Sequence, residues 1–488
     1  MAGVSGRTIE ARKAMLFCTE KFLVFFLVVF LAYWALPWRR ARVWLLLGAS
    51  YYFYASWNAS LARLIFLTTV CDYFIARGMD ATAVPWRRRM LMLTSIVGNL
   101  GVLCYFKYAN FFLDSLREVL TAAGASASIP VLSVVLPVGI SFYTFEAISY
   151  TVDVFRGRIP AERNLDHFLL FILFFPHLVA GPIVRASDFL PQVRRPKVLS
   201  WTRFAIGGRL ILLGMFKKMV IADRMALLVD PIFANPGSYE TAIVWMAAVA
   251  YSIQIYCDFS GYSDIALGTA RLLGYRLSIN FAMPLAATNI SDLWRRWHMS
   301  LSSWIRDYIY IPLGGNRGSV ARTSFNVLFA MTLCGLWHGA NWTFVVWGAL
   351  NGLYLVIHRA FRATTRDLPE VRTLLQSLPG TVFRIAVTFT TFTLAFVIFR
   401  SPSFGTAAEV FHQMFIPASG AGSPVAVGPI WLLGGVVFFA HLLGNRPEAW
   451  NVWYGLPAPV RGLALAGMLA ATLILVPVTT GMFIYFQF

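Results

Sequence analysis

The chain has 488 residues, of which 58% are hydrophobic and only 13% charged, and its mean hydropathy is +0.66. A soluble domain carries roughly 25% charged residues, so a water-soluble globular protein is excluded. The formal net charge of +19 does not point to nucleic acid, because the basic residues sit in short loops between apolar stretches rather than on one soluble basic face.

In chain order, apolar spans fall near residues 22–37, 43–58, 61–76, 90–109, 131–151, 167–184, 204–222, 241–259, 325–357 (read as two), 381–399, 427–445 and 461–485. Hydropathy therefore predicts an all-α polytopic protein with about 11–13 membrane helices. The first span follows a mildly basic head (Arg7, Arg12, Lys13, Lys21). It has no convincing small-residue cleavage site and is followed at once by further spans, so it reads as an anchor.

Loops such as Trp38 to Arg42 and Trp86 to Arg89 have the composition of positive-inside loops beside anionic lipid headgroups. Two spans separate Arg39–Arg42 from Arg77–Arg89, and two more precede Arg156–Arg163. Only the segment 167–184 then precedes the basic run Arg185–Lys197. Pro176 and Gly181-Pro182 break that segment, so it is expected to enter and leave on one side; the alternative is a simple exception to the charge rule. The side of the N-terminus stays open.

Loops 112–130, 361–380 and 401–426 are too short for separate domains, and no internal repeat is visible. A single domain over 1–488 is expected. The five cysteines (Cys18, Cys71, Cys104, Cys257, Cys334) show no CxxC pair or zinc-type spacing, so no disulfide framework and no metal site is expected.

The most informative residue is His338, in Leu336-Trp337-His338-Gly339-Ala340-Asn341-Trp342. The apolar stretch from Phe325 to Ile357 far exceeds the ~20 residues that cross a bilayer. An ionisable side chain at that depth is costly and marks a functional site by default. Gly335, Gly339 and Asn341 predict a helix break, which is tolerated at depth only inside protein or beside a watery cavity.

The segment Ile279 to Arg322 is the least apolar long piece, yet it is rich in tryptophan and arginine. Read as one helix from Asp292 to Tyr310, it gathers Trp294, Trp297, Leu301, Trp304, Ile305 and Tyr308 in a wedge of roughly 100°. Arg295 and Arg306 fall on a neighbouring face, with His298 at the border and Ser302 one turn on. Pro312, Gly314 and Gly315 end the helix, and Asn316-Arg317-Gly318 forms a basic loop. Guanidinium groups near a histidine suit an anionic ligand such as a nucleotide-linked donor; headgroup binding is the plainer alternative. Asp258, Ser260, Ser263, Asp264 and Glu146 also interrupt apolar runs. Each is expected either to pair with an arginine and hold the bundle together or to line a substrate path.

Two stretches, Trp294-Arg295-Arg296-Trp297-His298-Met299-Ser300-Leu301-Ser302-Ser303-Trp304-Ile305-Arg306-Asp307-Tyr308 and Leu336-Trp337-His338-Gly339, resemble the membrane-bound O-acyltransferase superfamily, closely its bacterial polysaccharide branch. Leu136 to Phe145, Leu178 to Arg185, Tyr256 to Asp264 and Ile309 to Arg317 are similar to that branch too. The motif core covers about 44–358, and the helices over 381–488 vary more. The resemblance implies tilted helices, some broken or re-entrant, around a central cavity open to both faces. It implies His338 as the catalytic histidine and His298 as the second motif's histidine. Trp294, Arg295, Trp297, Ser302, Arg306, Asp307, Tyr308, Arg317, Trp337 and Asn341 are the accompanying candidates for donor or substrate binding.

The reaction expected on this basis is acyl transfer, most simply of acetyl, from acetyl-CoA or another cytoplasmic acyl thioester, with no tightly bound cofactor. The acyl group would pass across the bacterial inner membrane to an extracytoplasmic acyltransferase acting on a polysaccharide. Membrane lipids and a polysaccharide synthesis or export complex are the other expected partners. Three alternatives stand beside it: a lipid or protein O-acyltransferase; a transporter, since broken helices with buried charge also build carriers; and a non-enzymatic scaffold.

Overall fold

The computed structural model describes residues 15, 17–125, 128–179 and 181–476; the basic residues Arg7, Arg12 and Lys13, and the end of the expected span 461–485, lie outside them. No strand forms among the described residues, which are predominantly helical. Two compact units are distinguishable: Met1–Ile211 with Tyr262–Ser278, and Leu212–Gly261 with Ile279–Phe488. Among the described residues, eight helices are long and apolar enough to cross a membrane.

The first unit runs through α1 (Glu20–Ala35), α2 (Arg39–Ala55), α3 (Ala59–Ala81), α4 (Pro85–Leu103), α5 (Ala109–Ala122), α6 (Ile140–Phe155), α7 (Leu165–Leu173), α8 (Phe175–Leu178), α9 (Ala186–Arg194) and most of α10 (Trp201–Met215). The second contains α11 (Asp223–Ala234), most of α12 (Thr241–Leu272), α13 (Ile290–Arg296), α14 (Met299–Ile305), α15 (Val320–His338), α16 (Trp342–Thr364), α17 (Pro369–Gln376), α18 (Leu378–Arg400), α19 (Phe404–Phe415), α20 (Val427–Gly444), α21 (Pro447–Gly455) and α22 (Ala458–Leu475).

Local chemistry sets many of these boundaries. The Asn58 side chain accepts from the Ser60 and Leu61 amides at 3.0 and 3.1 Å and so caps α3, satisfying donors that a helix start leaves free. Pro85 opens α4, where its missing N–H costs nothing.

Three sequence expectations are corrected. The span 131–151 is helical only from Ile140. Pro130 and Pro137 disfavour helix in the residues before them, and Gly139 turns the chain at φ +75°. A Cβ there would overlap the Leu178 carbonyl oxygen. The loop expected over 112–130 begins only after Ala122, because a π-turn over Cys104–Tyr108 carries α4 straight into α5. The loops 361–380 and 401–426 contain α17 and α19.

Segment 167–184 is a broken turnaround. α7 has 9 residues, about 13 Å of helix, well short of the ~30 Å hydrocarbon core. It stops at Phe174, four residues follow in α8, and Phe168 to Phe175 are almost wholly buried. The chain on either side then meets: Arg194 Nη2 donates to Glu162 Oε2 at 2.5 Å. Arg39 and Arg42 donate to the Arg194 and Lys197 carbonyls at 2.6 and 2.8 Å, and Arg88 reaches the Val154 and Phe155 carbonyls. The basic loops of this unit therefore gather at one end of it.

The Glu162 side chain is buried, and its Oε1 accepts from the Arg163 and Asn164 amides at 2.9 and 3.0 Å. Burial opposes ionisation, but the Arg194 hydrogen bond and the backbone donors outweigh it and hold the carboxyl below the usual range. A carboxyl lowered on folding stabilises above its unfolded pKa, about 4.3, and that stability is lost as pH falls through the folded value. The purified protein should therefore melt at lower temperature as pH drops below about 4.3. Glu162→Gln should melt lower at pH 7 and lose less on acidification. Parallel pH dependence in both proteins would refute this role.

Candidate active site

His338 is the last residue of α15, and Gly339 continues in extended conformation, φ −162° and ψ 154°. Asn341 then caps α16: its side-chain oxygen accepts from the Thr343 amide at 3.0 Å, and its Nδ2 donates to the Pro402 carbonyl at 2.9 Å. The helix break expected around His338 is thus built by a glycine on one side and an asparagine cap on the other. Glycines also let the two helices touch. A Cβ on Gly335 would overlap the Phe344 carbonyl oxygen, and one on Gly348 would overlap the Met331 carbonyl oxygen. Small residues at such crossings are the means by which membrane helices pack closely.

The segment 292–310 corrects the sequence reading. It is not one helix: α13 ends at Arg296, Trp297 is extended, His298 sits at φ 42° and ψ 53°, and α14 starts at Met299. A residue other than glycine in left-handed conformation is uncommon and stores strain, most often at functional sites. The neighbouring strip 280–282 takes up the hydrogen bonds that a continuous helix would have made. Ala282 donates to the Arg296 carbonyl at 3.0 Å, Met299 donates to the Asn280 carbonyl at 2.9 Å, and Ser300 Oγ donates to Asn280 Oδ1 at 2.6 Å. Ser302 locks the joint from within: its amide donates to the His298 carbonyl at 2.9 Å and its hydroxyl to the Trp297 carbonyl at 3.2 Å.

The joint delivers His298 to His338. Their ring centroids are 6.3 Å apart, and the two residues are 0% and 4% exposed. Trp337 lies against both, at 5.0 Å from His338 and 5.9 Å from His298. Trp347 and Phe399 wall His338 at 5.2 and 5.5 Å, and Phe259 stacks edge-on to His298 at 4.7 Å. Trp294 backs Trp347 at 5.9 Å, and Trp297 packs on Phe392 at 5.1 Å. Burial holds the His298 imidazole well below the ordinary histidine range, against a small opposing contact with its own backbone. Its ring is therefore neutral at physiological pH.

Of the predicted residues, His298, His338, Trp294, Trp297 and Trp337 gather in this aromatic chamber, and Ser302 positions it. The others lie outward. Arg295 and Arg317 are exposed, and Arg306 donates to Asp307 at 2.8 Å. Tyr308 is half-buried against Trp304 at 5.1 Å. Asn341 is spent on the cap. Trp347, Phe399, Phe259 and Asn280 belong to the site but carry no signal in the sequence as single residues.

Two of the buried acids, Glu146 and Asp258, meet a histidine and a lysine. Glu146 lies 3.2 Å from His177 Nδ1 and accepts from the Val184 amide at 2.8 Å. Asp258 and Asp223 grip Lys218 at 2.6 and 2.7 Å. A Cβ on Gly261 would crowd the Gly214 carbonyl and the Lys218 backbone, so the Gly in Phe259-Ser260-Gly261-Tyr262 admits this cluster.

The membrane-bound O-acyltransferase family model matches residues 159–399, which include both histidines. A probable alginate O-acetylase of Azotobacter vinelandii is 42% identical over 404 residues, covering 82% of this chain and 78% of the relative. The chain belongs to the membrane-bound O-acyltransferase family. A peptidoglycan O-acetyltransferase of Helicobacter pylori is 35% identical over 82% of this chain and 80% of the relative. A teichoic acid D-alanyltransferase of Streptococcus thermophilus is 30% identical over 54% of this chain and 67% of the relative. The protein is a multi-pass membrane O-acyltransferase.

Proposed function

We propose that this O-acyltransferase takes an acetyl group from a cytoplasmic thioester, acetyl-CoA in the simplest case, and passes it across the bacterial inner membrane for O-acetylation of an extracytoplasmic polysaccharide such as alginate. The observation that carries this reading is the pair of enclosed imidazoles, His338 at a helix break and His298 at a strained joint, 6.3 Å apart. The likeness to alginate and peptidoglycan O-acetyltransferases supports acetyl as the group transferred.

In this reading, His338 accepts the proton of the attacking hydroxyl as its oxygen bonds to the thioester carbon. The carbon–sulfur bond breaks, and the proton passes to the departing thiolate. A positioned base of this kind contributes roughly 10²–10⁴-fold. The tetrahedral oxyanion needs a donor. Trp347 Nε1 supports that assignment: it is buried without a hydrogen-bond partner among the described residues, and its ring adjoins His338. Arg295, Arg306 and Arg317 bind the donor at the cytoplasmic face. An extracytoplasmic acyltransferase and a polysaccharide synthesis or export complex receive the acetyl group.

The test uses membranes containing the full chain with acetyl-labelled acetyl-CoA, alone and with co-expressed extracytoplasmic acyltransferase. Free CoA should appear, and label should reach the polysaccharide. Transfer of label to phospholipid instead would favour the lipid acyltransferase reading. Acetyl-CoA left intact with the partner present would refute acetyl-CoA as donor.

A further inference from the structure

The second unit contains a cavity of about 1010 Å³ whose wall combines residues of α13, α16, α17 and α18. Five arginines line it: Arg295, Arg362, Arg366, Arg372 and Arg384; no aspartate or glutamate does. Arg295, Arg362, Arg366 and Arg372 are exposed, so water screens part of their mutual repulsion, and an anion in the cavity would relieve the rest. Arg295 makes only a 3.8 Å pair with Asp292, and the other four make no ion pair among the described residues. Arg384 is half-buried; its Nη2 donates to Thr381 Oγ1 at 3.3 Å, and its Nε is enclosed with no hydrogen-bond partner among the described residues. A buried donor on a charged group left unmet is expensive, and an anionic ligand in this cavity would meet it.

The wall is amphipathic, with Arg384, Thr388 and Thr391 beside the apolar residues of α18. Arg362, Arg366 and Arg372 lie where α16 runs out and the chain turns through α17. Tyr354, Phe383 and Val387 line the part of the cavity formed within the two candidate spans α16 and α18. Arginines beside apolar span surface on one wall match an amphiphile better than a fully hydrated anion. Short loops rich in arginine mark the cytoplasmic face, where basic pockets between membrane helices receive anionic headgroups.

We propose that this cavity is a binding site for an anionic phospholipid, its phosphate held by Arg362, Arg366, Arg372 and Arg384 and its acyl chain laid along Phe383 and Val387. Neither His298 nor His338 lines the cavity, and Arg295, placed with the donor above, is left out of the lipid site; the inference does not rest on the identity of the acyl donor.

The experiment takes the full-length protein in detergent, incubated with equal amounts of phosphatidylglycerol and phosphatidylcholine, then repurified and its bound lipid quantified. The wild type should retain phosphatidylglycerol several-fold over phosphatidylcholine. The Arg362→Gln/Arg366→Gln/Arg372→Gln variant should bring that ratio close to one, and each single substitution should lower it in part; the singles stand as the test if the triple variant does not fold. No preference in the wild type, or a preference unchanged in the variants, would overturn the proposal. A parallel arm replaces lipid with inorganic pyrophosphate or coenzyme A. Thermal protection by these, lost in the variants and without selective lipid retention, would also overturn it and give the arginines to a soluble phosphate ligand.

Discussion

Replacing His338 with glutamine is expected to cut acyl transfer by at least ~100-fold at equal protein abundance, the low end of what a positioned base contributes. Glutamine nearly matches imidazole in size and can still hydrogen-bond, so the aromatic wall of Trp337, Trp347 and Phe399 stays filled, but it cannot take a proton. His298 separates backbone strain from chemistry through a different variant. Asparagine tolerates the left-handed conformation that His298 adopts at φ 42°, so His298→Asn keeps the joint and removes the ring. Its loss should be smaller than that of His338→Gln if the ring assists the base. CoA release and label transfer, measured per molecule of folded protein, decide both. Retention of more than about a tenth of parental turnover in His338→Gln would refute the base role.

The second large effect is structural. Gly335→Val should destabilise the α15–α16 pair by ~3 kcal/mol or more, because overpacking a tight contact forces backbone to move. A Cβ alone at Gly335 overlaps the Phe344 carbonyl oxygen and comes to 2.9 Å from the Gly348 backbone nitrogen and Cα. No flexible side chain stands in the way to yield. His338 lies one turn further along the same helix, so the shift should carry the base out of place and lower turnover as well. Gly48→Ala is the control, since nothing lies within 4 Å of its added Cβ. The purified variant should melt lower by roughly 5 °C or more; equal melting of Gly335→Val and its parent would show that the contact is not tight.

The two histidines illustrate what sequence can and cannot reveal. His338 was legible because two local signals agreed: a titratable group deep in an apolar run, and glycines and asparagine to break the helix around it. The joint at His298 was not. The apolar wedge from Trp294 to Tyr308 keeps helical spacing straight through the break, and those side chains up to Ile305 are indeed buried. The break comes from Asn280, far enough upstream that no periodicity connects the two. Helix α5 escaped for the opposite reason: Asp114, Arg117 and Glu118 lowered its hydropathy although its backbone simply continues α4. Glu146 and Asp258 stood out as buried acids, but their partners, His177 and Lys218, are set by tertiary packing alone.

The turnaround at 165–185 has a consequence for how the crossings of this chain are counted. A segment that doubles back leaves everything after it on the side where it began. Hydropathy scores it as one more crossing, so a tally that includes it inverts the side assigned to the loop that follows it, Arg185 to Lys197. The Glu162–Arg194 clasp ties the two ends of that doubled-back segment together.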